Sequence, residues 1–237
     1  MRKLLLASVL GLGLAGGGAQ AEVIFTLGNH PQPDEQNLFF EAADTVPGTH
    51  LTGEIDHSGV FVNFSSLFAK DPASLGGGST GQTIVANGIG QADIVCATNC
   101  VNNGGGADSA QLTSLQITPS AGQGFHDFIL NPTHGHGDMN VFVRDNLGNN
   151  FHFDLRQGQD FLTITTANNE AITLIQLSEL ATGTGAFGWS DLAQPRISGP
   201  CTLGTATCEP INTPEPAGIA LLGAGLLGLG WAIRRRT

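Results

Sequence analysis

Residues 139–155 read Met-Asn-Val-Phe-Val-Arg-Asp-Asn-Leu-Gly-Asn-Asn-Phe-His-Phe-Asp-Leu, and this stretch decides the fold class. Apolar residues recur in it at every second position: Met139, Val141, Val143, Phe151, Phe153 and Leu155. A period of two is typical of β-strands with one buried face. The Asn- and Gly-rich segment between the two runs contains residue types that tolerate positive φ angles in turns. We therefore predict an antiparallel hairpin.

Short runs of the same kind occupy much of the chain on either side of this hairpin. Strands are predicted at 23–26, 48–55, 59–64, 83–86, 92–95, 112–117, 128–130, 161–166, 171–177 and 194–198. Within 171–177 the alternation changes phase, which predicts a β-bulge or burial on both faces. The strands are joined by loops rich in Gly, Pro and Asn, and no strand–helix alternation is present. The pattern predicts an all-β fold, an antiparallel two-sheet sandwich of jelly-roll type.

The N-terminus has the three parts of a secretory signal peptide. Met1-Arg2-Lys3 is basic, residues 4–14 are apolar, and Ala19-Gln20-Ala21 is a small-x-small cleavage site. We predict a signal peptide at 1–21 that is cut after Ala21, as this order of parts indicates. An ectodomain at 22–200 and a linker at 201–213 would follow.

The C-terminus combines a rigid acidic segment, an apolar run and a basic end. Pro214-Glu215-Pro216 precedes residues 217–233, which contain no charged side chain, and Arg234, Arg235 and Arg236 follow. A helix over 217–233 would be about 25 Å long, slightly shorter than the hydrocarbon core of a bilayer. Arginines are retained on the cytoplasmic side, so we predict one transmembrane helix with the ectodomain outside the cytoplasm.

This order of parts resembles the PEP-CTERM sorting signal of Gram-negative bacteria, which would occupy 214–237. The resemblance implies recognition by exosortase, an integral-membrane enzyme that removes the helix and passes the protein towards the cell surface and its exopolysaccharide. The membrane would then be a temporary partner. Small residues at Ala220, Ala224, Gly228 and Ala232 leave a second use open, because such a stripe can pack one helix against another.

The charge of the chain restricts its partners. The whole sequence carries a formal net charge of −11. Residues 22–216 carry four basic and 20 acidic side chains, a formal charge of −16. Such a surface repels nucleic acid, so no nucleic-acid partner is expected. The same acidity could equally serve to keep an exported protein in solution.

The four cysteines fall into two close pairs, Cys96 with Cys100 and Cys201 with Cys208. Export places them in an oxidising compartment, where disulfides are the usual state. Three connectivities are possible, and the short separations favour the one in which Cys96 pairs with Cys100 and Cys201 pairs with Cys208. A four-cysteine zinc site is the alternative, although neither spacing is the two-residue gap that is typical of such sites.

His134, His136 and Asp138 are the candidate metal ligands. If the loop that carries them curls, two imidazoles and a carboxylate could converge on zinc or copper. The alternative is a solvated Gly/His loop between two strands. The glycine runs at 76–78 and 104–106 lack the Lys-Ser/Thr of a phosphate loop, so no cofactor is expected.

Catalytic motifs are weak in this sequence. Asp56-His57-Ser58 contains the residue types of a nucleophilic triad, but neighbours along a strand point to opposite faces and cannot form a relay. We therefore predict that the protein is not an enzyme.

The predicted function is that of an exported, non-catalytic component of the cell surface or of the exopolysaccharide and biofilm matrix. A carbohydrate-binding module is the alternative, because β-sandwiches bind sugars through exposed aromatic planes and polar side chains. Trp189, next to Phe187 in a Gly-rich region, is the candidate stacking residue. It could instead be an ordinary core residue.

Overall fold

The computed structural model describes residues 22–56, 58–102, 110–180 and 187–208. These ranges contain β-strands and a short 3-10 helix at Ala42–Thr45. The strands are β1 Val23–Leu27, β2 Gln36–Phe39, β3 His50–Ile55, β4 Phe61–Ser65, β5 Thr83–Ala86, β6 Ile94–Thr98, β7 Ser114–Pro119, β8 Gln123–Gly124, β9 Asp127–Leu130, β10 Pro132–Thr133, β11 Met139–Asp145, β12 Asn150–Leu155, β13 Leu162–Thr166, β14 Ile172–Glu179, β15 Asp191–Leu192, β16 Arg196–Ser198 and β17 Cys201–Thr202.

The predicted all-β class is confirmed. In the described ranges no helix has the length and hydropathy of a membrane span. The predicted signal peptide at 1–21 and transmembrane helix at 217–233 lie outside the described residues, and so does the sorting signal with Pro214, Glu215, Pro216 and Arg234 to Arg236.

The hairpin that the alternation predicts is formed by β11 and β12. Val141 pairs with Phe153 and Val143 with Phe151 across it. The phase change in 171–177 is a register shift, because Arg144 faces Leu174 whereas Asp145 faces Ile172, which leaves Thr173 as the extra residue. The Thr173 hydroxyl donates to the carbonyl oxygens of Arg144 and Asp145 at 3.2 and 3.0 Å. The bulge therefore has a local hydrogen-bond partner for its additional residue.

Eleven strands form one antiparallel sheet instead of the two separate sheets that the sequence predicts. Their order is β1-β13-β9-β16-β2-β3-β4-β7-β14-β11-β12. β2 joins the two halves: Gln36 and Asn37 pair with β16, and Leu38 and Phe39 pair with β3. The separate-sheet part of the prediction is wrong because one strand serves both halves.

The two outer strands of this sheet approach each other. Phe25 on β1 stacks on Phe153 of β12, with ring centroids 5.3 Å apart and planes 20° from parallel. The sheet is thus nearly closed, like a barrel. Its interior is filled by large apolar side chains without exposed surface, among them Phe64, Phe128 and Trp189.

The outer face of β11 and β14 is covered by residues 69–77. Asp71 forms an ion pair with Arg144. Gln176 accepts from the amide of Asp71 at 3.1 Å and donates to the carbonyl of Ala69 at 3.2 Å. Asn140, which the alternation places on the same face of β11 as Arg144, is also buried.

Two small sheets and two disulfides complete the fold. A four-stranded sheet has the order β10-β15-β6-β5, and β17 pairs with β8. Disulfides join Cys96 to Cys100 and Cys201 to Cys208.

The first part of the predicted linker at 201–213 packs on the ectodomain. β17 pairs with β8, and the buried Cys201 and Cys208 pack against Ala171. The Asn146 side-chain amide donates to the carbonyl oxygen of Cys208. The ectodomain therefore extends at least to Cys208.

Candidate functional site

The predicted metal loop is held open by backbone contacts. The amide of His136 donates to the carbonyl of Gly188 at 2.7 Å, and Gly188 donates back at 3.1 Å. The Asp138 carboxylate accepts from the amide of Gln157 at 3.2 Å. In the part of the chain that the structure describes, no three metal-ligating side chains come together. His134, His136 and Asp138 are therefore not gathered around one point in this structure, and metal binding by this loop stays a prediction.

Trp189 lies in the core. Its side chain has 0% exposure, and its backbone makes a two-sided bridge to Leu112 with hydrogen bonds of 2.8 and 2.9 Å. The ring of Phe187 meets the indole edge to face at 5.8 Å. Stacking on a sugar needs an exposed ring, and in this structure the Trp189 indole offers no exposed face.

A pocket of about 310 Å³ lies where loops meet β2, β9 and β16, and we call it the amide pocket. Most of its polar lining consists of side-chain amides, with one cation and a few apolar groups. The lining residues are Asn29, Asn37, Gln91, Ile129, Asn131, Phe161, Ala193, Gln194 and Arg196. Amides both donate and accept hydrogen bonds, so this lining suits a ligand rich in hydroxyl groups.

Hydrogen bonds fix several of the lining side chains. Gln91 donates to the side-chain oxygen of Asn37 at 2.8 Å. Arg196 donates to the side-chain oxygen of Asn29 at 2.8 Å, which holds the guanidinium at the pocket wall. Among the described residues, the side-chain amides of Asn131 and Gln194 have no hydrogen-bond partner. These two amides are the groups that a ligand could engage without breaking an existing contact.

A buried acidic group lies near Arg196. The guanidinium uses Nη2 for Asn29 and forms an ion pair with Glu35 through Nη1. Asp127 is 1% exposed, and both of its carboxylate oxygens are buried without a hydrogen-bond partner in the described structure. Burial, together with the carboxylates of Glu35 and Asp34, raises the pKa of Asp127 to about 7, and Arg196 opposes the shift. Asp127 is therefore close to half protonated at neutral pH.

Asp127 lies near the amide pocket but does not line it. Asp127 pairs with Ser198 across β9 and β16, and two residues along the same strands Ile129 pairs with Arg196. Ile129 and Arg196 line the pocket, whereas Asp127 does not. Its carboxylate interacts electrostatically with Glu35 and with Arg196, and of these two only Arg196 lines the pocket.

Sequence reasoning missed the amide pocket. Its residues come from six separate places between 29 and 196, and single Asn and Gln residues carry no spacing signal. The Asn131-Pro132 and Gln194-Pro195 pairs are the nearest to a hint, because a proline interrupts strand pairing and often marks a loop.

The matches to known proteins are confined to the C-terminus. Residues 212–236 match the PEP-CTERM protein-sorting motif. This confirms the resemblance and implies export, sorting to the cell surface and processing by exosortase. No curated protein and no solved structure matches the chain.

Proposed function

We propose that this chain is an exported, non-catalytic protein that exosortase delivers to the cell surface or to the exopolysaccharide and biofilm matrix. The sorting motif at 212–236 is the observation that carries the proposal. It begins shortly after Cys208, whose disulfide with Cys201 fastens the end of the ectodomain. Disulfides are typical of proteins outside the cytoplasm. Removal of the tail would leave this cross-linked domain intact.

The proposed role of the tail is that of a temporary anchor in the inner membrane. Residues 217–233 would form the helix, Arg234 to Arg236 would stay on the cytoplasmic side, and the ectodomain would face the periplasm. The prolines at 214 and 216 cannot join a helix interior and keep the segment before the membrane extended. An extended peptide is accessible to a processing enzyme.

Deleting residues 213–237 is expected to leave the protein free in the periplasm or the medium. The undeleted protein should first be found in the membrane fraction. After exosortase has removed its helix, it should be found at the surface with a smaller mass. Cell fractionation with mass spectrometry checks both forms. A matched control replaces Pro214, Glu215 and Pro216 by alanine, which keeps the apolar helix and should trap the protein in the membrane. Membrane retention of the deleted protein would contradict the anchor.

The absence of catalysis is proposed from the surroundings of the ionisable groups. Asp127 has a pKa raised to about 7, yet it is buried out of reach of a pocket ligand. His134, His136 and Asp138 do not form a ligand set. These observations fit a binding role, or a role of the acidic surface as a whole, better than they fit catalysis.

Carbohydrate binding in the amide pocket is the second candidate. The observation that favours it is the pair of unpartnered amides of Asn131 and Gln194 beside the half-buried ring of Phe161 and the guanidinium of Arg196. Amide groups can satisfy the paired donors and acceptors of sugar hydroxyls, and an aromatic ring can contact the apolar face of a sugar. The pocket thus replaces Trp189 as the place where a polysaccharide would bind.

The double variant Asn131→Ala/Gln194→Gly is expected to bind a polysaccharide about 10-fold more weakly than the wild type, because both side-chain amides are removed. Glycine is chosen at 194 because this residue has φ +41°, which glycine adopts without strain. Retention on a panel of immobilised polysaccharides measures the effect. Gln157→Ala removes an exposed amide elsewhere and should bind normally. Equal retention of wild type and double variant on every polysaccharide would exclude this site.

A further inference from the structure

Residue 22, the first residue after the predicted cleavage site, is fastened to a hairpin turn. The backbone nitrogen of Glu22 donates to Oε2 of Glu170 at 2.9 Å. The carbonyl oxygen of Glu22 accepts from the amide of Ala167 at 3.0 Å. The next residue, Val23, pairs with Thr166 in the sheet. The backbone at residue 22 is therefore fixed on both sides against the turn that joins β13 to β14.

Glu170 lacks the cation that a buried carboxylate needs. Its side chain has 0% exposure, and its second oxygen, Oε1, is buried without a hydrogen-bond partner in the described structure. No lysine or arginine of the described residues forms an ion pair with it. Burial raises the pKa of Glu170, the hydrogen bond from Glu22 lowers it, and the carboxylates of Asp145 and Glu22 raise it.

The other groups around Glu170 do not replace this cation. The ring of His126 contacts the backbone carbonyl of Glu170 through Nδ1 at 2.6 Å, and its Nε2 contacts the carbonyl of Thr207 at 2.8 Å. Asp145 directs its carboxylate to the amides of Leu147 and Asn149. The Glu170 carboxylate itself has one neutral donor for four lone-pair sites.

We propose that Glu170 is a binding site for the chain's own new N-terminus: cleavage after Ala21 turns the Glu22 amide into an α-ammonium that pairs with the buried carboxylate. The inference rests on the proposed export, which supplies the signal peptidase. Hydrolysis adds one water across the Ala21–Glu22 bond, leaves a carboxylate on Ala21 and gives the Glu22 nitrogen the protons of an ammonium group. The nitrogen already lies 2.9 Å from Oε2, so the pair forms without movement of the chain.

The new charge changes the contact in two ways. An amide offers a single neutral N–H, whereas an ammonium offers three donors and a positive charge, and charge-assisted hydrogen bonds are roughly twice as strong as neutral ones. A positive charge also offsets the burial of Glu170 and the repulsion from Asp145 and the Glu22 side chain. The folded ectodomain is therefore more stable once it has been cut than as a precursor.

The test compares three N-termini on the mature chain, residues 22–237 in mild detergent. One begins with a free Glu22, released from a cleavable fusion without extra residues. The second keeps Gln20 and Ala21 ahead of it. The third begins with Nα-acetylated Glu22, which keeps the N–H but removes the charge and leaves every side chain unchanged.

The free Glu22 form is expected to unfold about 2–4 °C above the other two at pH 7. Glu170→Gln should remove this difference. The difference should also shrink at pH 9.5, because an α-amino group with an ordinary pKa of about 8, raised in the folded state by its carboxylate partner, loses its proton there. Equal melting temperatures of the free and acetylated forms at pH 7 would overturn the inference.

Failure of the export premise has a different signature. Mass spectrometry of the native protein should give Glu22 as its first residue. Another first residue would show that cleavage does not build this pair in the cell, whatever the melting temperatures of the purified forms. A native Glu22 terminus with equal melting temperatures would leave export standing and overturn only the role of Glu170.

Discussion

Replacing Asp127 by asparagine is expected to stabilise the folded protein at pH 8 and to change its stability little at pH 4. In the unfolded chain this carboxyl ionises near its ordinary pKa of 3.8, whereas burial keeps it protonated in the folded state up to about pH 7. Between these values the folded state binds more protons than the unfolded state, so stability falls as the pH rises. The full cost is present above pH 7 and absent below pH 4.

The size of this effect follows from the width of the pH window. One pKa unit corresponds to about 1.4 kcal/mol, so the shift amounts to at most about 4 kcal/mol. That is a large part of the 5–15 kcal/mol that is usual for a folded domain. Asparagine has nearly the same shape and cannot ionise, so the variant escapes the cost.

Urea unfolding of the wild type and Asp127→Asn between pH 4 and pH 8 measures the difference. The free energy of unfolding of the variant should exceed that of the wild type increasingly with pH and then level off above pH 7. Asp160→Asn, which changes an exposed carboxylate, is the control and should show no such trend. A variant that is less stable than the wild type at pH 8 would mean that the Asp127 carboxylate has a partner.

Local periodicity predicts the longer strands, but it cannot predict how they assemble. The β11–β12 hairpin and the bulge at Thr173 follow from neighbouring residues, and both are present. β2 was missed, because Gln36 and Asn37 are polar and only Leu38 in this strand is fully buried. This short strand joins both halves of the sheet, so its omission led to the prediction of two separate sheets.

The burial of polar residues is the second feature that the sequence pattern does not predict. The alternation places Asn140 and Arg144 on the face of β11 opposite to Val141, yet Asn140 is buried and Arg144 forms an ion pair with Asp71 of residues 69–77. Such a cover comes from a loop about 70 residues away, and its position depends on long-range contacts. The disulfide pairing is easier to predict, because the partners of each pair are only four and seven residues apart in the sequence.

The candidate site was the least predictable part. His134 and His136 suggested a metal site because they are close in sequence, but the bridge from His136 to Gly188 holds the loop in another shape. The amide pocket shows the opposite relation between sequence and structure, because residues as distant in the sequence as Asn29 and Gln194 lie together in the folded protein. Among the candidate functional features, the sorting motif can be recognised without the fold, because it is one continuous stretch of sequence.

Trp189→Ala is expected to destabilise the protein by about 3–5 kcal/mol, the usual cost of removing a buried aromatic side chain. The indole has no exposed surface and packs against the ring of Phe187. Alanine would leave a cavity that the backbone bridge to Leu112 prevents from collapsing. Denaturant unfolding should show a lower midpoint with an unchanged slope.

Trp189→Phe separates the lost volume from the lost polar group. The indole N–H is buried without a hydrogen-bond partner in the described structure, so its removal relieves a cost while phenylalanine fills most of the space. We expect less than half the destabilisation of the alanine variant. Ile89→Ala, at a side chain that is 71% exposed, is the control and should stay within about 0.5 kcal/mol of the wild type. A Trp189→Ala variant as stable as the wild type would remove this residue from the core and restore it as a candidate for binding sugar.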